Sequence, residues 1–154
     1  MKKYFLSILI IFPLMFSECR ADNPGGTASA SVSDSPVVSL SDEMFRKMIF
    51  NYSESKEWKF AGSKPAIIDF YADWCAPCRQ LSPLIEEIAK EYKGKIDVYK
   101  VDTEKEKTLA QNIGVTALPT LLFIPVEGQP QVTMGALPKE SLEQAISEIL
   151  KVTK

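Results

Sequence analysis

An α/β domain, built on a central mixed β-sheet with helices on both faces, is predicted by three observations. Strand-like and helix-like segments alternate along most of the chain. The run Ala66–Tyr71 is apolar almost throughout, as a strand buried on both faces must be. Toward the C-terminus two strand-like runs follow one another with no helix between them, and such a β-β step makes the sheet mixed rather than wholly parallel. The 154 residues suit one domain, and 45% hydrophobic with 25% charged residues is ordinary for a globular protein.

The elements follow in order. The folded domain is expected over residues 37–154. Residues 37–40 form a short strand. Ser41 with Asp42 and Glu43 reads as a helix start, an N-cap hydroxyl followed by acids at the positive end of the helix dipole. That helix carries Met44, Phe45, Met48 and Ile49. Residues 51–64 are polar and irregular, with Trp58 and Phe60 in them as local packing groups. Pro65 opens the buried strand Ala66–Tyr71. Beyond Cys75, the residues Leu81, Leu84, Ile85, Ile88, Ala89 and Tyr92 recur at helical spacing, Pro83 predicts a kink, and Gly94 ends the helix. Residues 96–101 form a strand, 104–112 a short helix before Gly114, 120–124 a strand stopped by Pro125, and 131–134 another strand. A last helix covers 138–152, with Leu142, Ile146, Ile149 and Leu150 as its stripe.

The first residues have the three-part layout of an export signal. Lys2 and Lys3 precede an apolar run over residues 4–16, and Cys19-Arg20-Ala21 places small residues at the A-x-A-like spacing for a cut after Ala21. The run is shorter than the ~20 apolar residues of a membrane-spanning helix. Residues 1–21 are therefore read as a signal peptide and the protein as exported to the periplasm. Cys19 has two fates: removal with the signal, or retention as a lipid-bearing first residue that would tether the protein to a membrane. Glu18 favours removal, because lipoprotein signals resemble one another in having a small residue just before the cysteine. Residues 22–36, DNPGGTASASVSDSP, are too poor in large apolar groups to order themselves and read as a flexible linker.

Composition closes several routes. The chain has no histidine, which excludes Cys-His and Ser-His catalysis and His-ligated metals. Its three cysteines cannot supply the four ligands of a structural zinc site, so no metal is expected. A net charge of −2 recommends no nucleic-acid partner. The chemistry lies in Cys75-Ala76-Pro77-Cys78, which follows a buried strand and opens a helix. Cys75 sits where free N–H groups and the positive end of the dipole stabilise a thiolate, and thiolate attacks disulfides. Cys78, one helical turn on and more internal, is placed to resolve. Pro77 suits a first turn, where its missing N–H has no partner to lose. The other readings of the pair are a structural disulfide, which a two-residue loop stabilises little, or half of a metal site that lacks its other ligands.

Trp74-Cys75-Ala76-Pro77-Cys78-Arg79 resembles the W-C-G-P-C-K signature of the thioredoxin family. Residues 68–73, IDFYAD, resemble the strand that leads to that signature. Ala117-Leu118-Pro119-Thr120 resembles the family's small-residue–Ile–Pro–Thr segment, and Gly135-Ala136-Leu137 its next turn. The likeness covers residues 37–151. It implies the thioredoxin fold, a redox-active Cys75–Cys78 disulfide with no other cofactor, and thiol-disulfide oxidoreductase activity. Asp69 matches the buried aspartate below the site, which desolvation should hold protonated to unusually high pH and which would take the proton of Cys78. Lys100 matches the lysine facing it. Pro119 matches a cis-proline, with the backbone around Leu118 free to pair with an extended substrate. Trp74, Ala117, Leu118, Met134, Gly135 and Ala136 would form the contact surface. Ala76 in place of Gly and Arg79 in place of Lys are departures that bear on redox poise.

The expected partners are exported proteins with thiols or disulfides, and a membrane or periplasmic redox protein that recharges a monomeric domain. Two other functions stay open: a dedicated reductant of apocytochrome c thiols, and a non-enzymatic binding module on the same scaffold. A pure scaffold would need neither cysteine, nor Asp69, nor Pro119.

Overall fold

A computed structural model of the protein describes residues 35–154. The export run, the cut after Ala21, Cys19 and the linker through residue 34 lie outside the described residues. Ser35 and Pro36, at the end of the expected linker, lie within them, and the Ser35 hydroxyl donates to the Glu86 carboxylate at 2.8 Å.

Among the described residues, five strands and four helices follow in the expected order. They are β1 (Val37–Ser39), α1 (Asp42–Met48), β2 (Ala66–Tyr71), α2 (Ala76–Glu91), β3 (Asp97–Asp102), α3 (Lys107–Ile113), β4 (Thr120–Ile124), β5 (Gln131–Met134) and α4 (Lys139–Ala145). A π-helical turn, Ile146–Leu150, extends α4. The sheet order is β1-β3-β2-β4-β5. β1, β3 and β2 run parallel, β4 is antiparallel to β2, and β5 to β4. β2 is thus the middle strand, and Ala66, Ile67, Ile68, Asp69 and Phe70 are all buried.

Strand alternation sorts side chains into two cores. Ile67, Val98, Leu121 and Phe123 meet Leu81, Ile85 and Ile88 of α2 and Leu142 of α4, with Ile146 and Leu150 from the π-helical turn. Ile68, Phe70, Tyr99, Val101, Leu122 and Ile124 meet Phe45 of α1 and Leu109 of α3 on the other face. Asp69 shares the parity of Ile67, and Lys100 that of Val98, so both side chains belong to the α2 face. Burying a large side chain such as Phe123 contributes about 1.5–3 kcal/mol. Trp58 and Phe60 pack on the second core, and the Trp58 ring lies 4.8 Å from that of Phe50.

The structure refines several boundaries. Ser41 caps α1, its hydroxyl accepting from the Met44 N–H. α3 begins at Lys107 and not at residue 104. The Asp102 carboxylate accepts from the Glu104 N–H at 3.0 Å, and the Asp102 carbonyl from the Glu106 N–H at 2.8 Å, which hold a turn where a helix would otherwise start. α2 runs through Pro83 without interruption and ends at Glu91, ahead of Gly94. The last helix is not α-helical to residue 152. Residues 146–150 wind as an i→i+5 turn, with Ile146 and Leu150 buried. Lys151 closes it at φ 59°.

Candidate active site

The site is assembled where β2 ends and α2 begins. Tyr71 leaves the sheet, Ala72 is buried, and the Ala72 carbonyl accepts from the Cys75 N–H at 3.1 Å. That turn aims Cys75 into the N-cap position of α2, where its sulfur accepts from the Cys78 N–H at 3.2 Å. A sulfur carrying negative charge is stabilised by that N–H and by the dipole of a 16-residue helix. Ala76 and Pro77 occupy the exposed first turn. Cys75 and Cys78 are joined as a disulfide with Cα atoms 5.3 Å apart. Each is only 3% exposed, so exposure alone does not make Cys78 the more internal sulfur, as expected from sequence. What distinguishes them is their surroundings. Ala72 and Leu118 pack against the pair, and Cys78 alone of the two lines the cavity that holds Asp69.

That cavity, about 280 Å³, is lined by Asp69, Tyr71, Ala72, Asp73, Cys78, Arg79, Ser82 and Lys100. Asp69 is 5% exposed, and its Oδ1 accepts no hydrogen bond from any described residue. Burial pushes its carboxyl up to about 7, against a smaller downward pull from the Lys100 ammonium. Lys100 is the direct neighbour of Asp69 across the β2–β3 pairing, on the same face. The Arg79 guanidinium donates to the Asp73 carbonyl at 2.9 Å, which fixes it at the cavity wall.

Leu118, which packs against the cysteines, also lines a separate groove of about 300 Å³, walled by Trp74, Ala117, Leu118 and residues of α3. The Leu118–Pro119 bond is cis. Neither the N–H nor the carbonyl of Leu118 is bonded to any described residue, whereas the Pro119 carbonyl accepts from the Gly135 N–H at 2.8 Å. Gly135 holds φ 91°, a conformation that L side chains rarely adopt. Met134 is 63% exposed on β5, opposite Thr120, and its sulfur lies 3.9 Å from the Thr116 hydroxyl. Ala136 is exposed next to Gly135.

The thioredoxin family profile matches residues 36–148. The chain belongs to the thioredoxin family. A thioredoxin of Borreliella burgdorferi is 50% identical over 112 residues, 73% of this chain and 96% of that one. An M-type chloroplastic thioredoxin of Spinacia oleracea is 33% identical over 139 residues, 90% of this chain and 75% of that one. Among solved structures, chloroplastic thioredoxin z superposes with a TM-score of 0.63 at 26% identity, over 75% of this chain and 96% of that one. The sheet and its helix layers are therefore the thioredoxin fold. The chain is a thioredoxin-type thiol-disulfide oxidoreductase, which acts on protein disulfides with its own Cys75–Cys78 pair and needs no external cofactor.

The thioredoxin-like segments converge in space. Asp69, Lys100 and Cys78 meet in one cavity, and Trp74, Ala117 and Leu118 in one groove. Sequence reasoning gave no role to Ser82 and Asp73 on the cavity wall, nor to Thr103, Lys107, Gln111 and Thr116 in the groove. Lys107 and Gln111 were legible as one helical face, being four apart. The Thr103 and Thr116 hydroxyls carry no such signal, since the segments around α3 bring them to the site, whereas Ser82 lies in α2 four residues after Cys78.

Asp69 ties stability to pH. Its folded value of about 7 exceeds the ordinary 3.8, so the neutral form stabilises the fold. That contribution is complete below pH 3.8 and is lost as pH rises to about 7; it amounts to about 4 kcal/mol. Asp69→Asn should remove this loss. Its unfolding free energy relative to the wild type should climb between those pH values and level off above them, in urea titrations of the oxidised protein. A difference independent of pH would show that Asp69 ionises normally.

Proposed function

We propose that this protein is an exported, periplasmic thioredoxin that reduces disulfides in other exported proteins. The observation that carries the mechanism is the cavity shared by Cys78 and Asp69. The Cys75 thiolate, at the N-terminus of α2, attacks one sulfur of a substrate disulfide. A Cys75–substrate disulfide forms, and the first substrate sulfur leaves as a thiolate. The Asp69 carboxylate takes the Cys78 proton, directly or through water, and the Cys78 sulfur attacks Cys75. The second substrate thiolate leaves, and the protein ends as the Cys75–Cys78 disulfide with two electrons transferred to the substrate. Lys100 moderates the burial of Asp69 and keeps its carboxylate available near neutral pH. Leu118, held before cis-Pro119 with its backbone groups unbonded among the described residues, offers an edge on which an extended substrate pairs. Trp74, Ala117, Met134, Gly135 and Ala136 surround that edge.

Lys2, Lys3, the apolar run over residues 4–16 and the cut after Ala21 support export; a lipid on Cys19 would make the same protein a tethered one. Export also favours a second direction. The periplasm is kept oxidising, and a protein left oxidised there would donate its disulfide instead.

Resolution of a Cys75–peptide disulfide, followed by stopped flow, should accelerate as pH rises through about 7, where Asp69 becomes a base. Asp69→Asn should lose that step and slow resolution roughly 100-fold at pH 8. An unchanged profile in the variant removes Asp69 from the reaction.

Direction is read from the reduction potential of Cys75/Cys78 in glutathione buffers. The reference proteins themselves lie at about −270 mV for thioredoxin and about −120 mV for the oxidant DsbA. A result near the first supports a reductase supplied with electrons; one near the second makes the protein a disulfide donor. Fractionation of bacteria expressing the full chain should find a periplasmic form starting at Asp22. An uncut cytoplasmic chain would overturn export.

A further inference from the structure

We infer that Lys107 is a specificity determinant, which selects substrate segments carrying an acidic side chain close to the cysteine under attack. The inference rests on the thiol-disulfide reading above and assigns a substrate class to the same site. The groove beside Trp74 has an unequal wall. Trp74, Ala117 and Leu118 are apolar, and Trp74 is 66% exposed, as a large surface for a partner to cover. The groove is also lined by Thr103, Thr116, Gln111 and Lys107. Lys107 is the one ionisable residue among those that line the groove. Charge there is of a single sign, although the chain as a whole is net negative.

Lys107 is also free to be used. Lys105, two residues earlier, is paired with Asp102 at 2.9 Å, and Lys139 and Lys154 are held by Glu87, Glu91 and Glu143. Among the described residues no carboxylate pairs with Lys107. Arg79 and Lys100, the cations that share a cavity with Cys78, lie on that cavity's side, and Arg79 is committed to the Asp73 carbonyl. A segment laid along the Leu118 edge would therefore pass one unneutralised cation, with Gln111 one turn farther along the same helical face as a second donor. A glutamate or aspartate there gains a charge-assisted bond, and a lysine is repelled.

The test uses disulfide-linked peptides that differ only in Glu, Gln or Lys at each position within a few residues of the target cysteine. The wild-type protein should reduce the best Glu peptide with kcat/KM about 3–5-fold above its Gln counterpart, with Lys below Gln. The preference should fall toward unity in 1 M salt, where the screening length is about 3 Å. Lys107→Gln should abolish it and Lys107→Glu should invert it, whereas Arg79→Gln should leave it in place. A preference that survives both Lys107 variants, or one lost only with Arg79, overturns the inference. Failure of the wild type to reduce the neutral Gln peptide at all would instead overturn the underlying activity, and the inference with it.

Discussion

The middle strand, β2, must bury both of its faces, and most of the molecule follows from that. β3 pairs along one edge and β4 along the other, so neither edge meets water. Its alternate side chains point into two separate apolar layers, which forces helices onto both sides of the sheet. A strand so enclosed has one place where the chain can leave, at Tyr71. The turn that follows delivers Cys75 to the start of α2, whose Leu81, Ile85 and Ile88 are pinned to the same strand. The redox pair is thus set by the core rather than by a mobile loop, and the thiolate at Cys75 gains its stabilising donors without any rearrangement.

The same enclosure sets the price of the one polar residue in β2. Asp69 replaces an apolar side chain in the layer that meets α2, where its Oδ1 finds no donor among the described residues. Desolvation raises its pKa and Lys100, its neighbour on β3, lowers it; desolvation is the larger effect, and the balance rests at about 7. A carboxylate on the exposed face of a strand would be fully ionised at neutral pH and a weak base. One deeper in the core, without Lys100, would hold its proton to still higher pH and could not accept another. The cost in stability and the value as a base are consequences of the same burial.

Much of this was legible in the sequence because it depends on short-range patterns. The nearly continuous apolar run Ala66–Tyr71 identified the middle strand, and helical spacing identified the buried face of α2. β4 and β5 were bounded to the residue, since Pro125 and the Gly128–Pro130 region punctuate them. Less legible were features decided by side-chain bonds to the backbone or by tertiary fit. Asp102 delays α3 through a capped turn that spacing cannot reveal. The π-helical end of α4, where Ile146 and Leu150 are buried, leaves no mark in the apolar spacing, since residues four apart share a face in an α-helix too. The cis-proline was expected from family likeness alone, since X-Pro bonds are trans in the great majority of cases. Within the site, the convergence of Asp69, Cys78 and Lys100 followed from strand parity once the sheet order was known. The polar wall of the groove did not, because it joins residues from α3, from the turn after β3 and from the loop before Pro119.

The cavity and the groove are separate, the first lined by Cys78 and Asp69 and the second by Trp74 and Leu118, and this separation has a physical use. Substrate docking demands a surface that is apolar, partly exposed and free to lose its water, as Trp74, Ala117 and Leu118 are. Proton transfer demands a carboxylate shielded enough to be basic, yet open to solvent so that it can release its proton between turnovers. One pocket could not meet both demands, because a docked segment beside Asp69 would close its path to water and raise its pKa further. Dividing the tasks leaves the Asp69 cavity open while a substrate lies on the Leu118 edge. Cys78, which lines only the cavity, then exchanges its proton on one side and its electrons on the other. The arrangement needs no moving lid, and it makes the distinction between the two cysteines one of surroundings, which their equal burial would otherwise conceal.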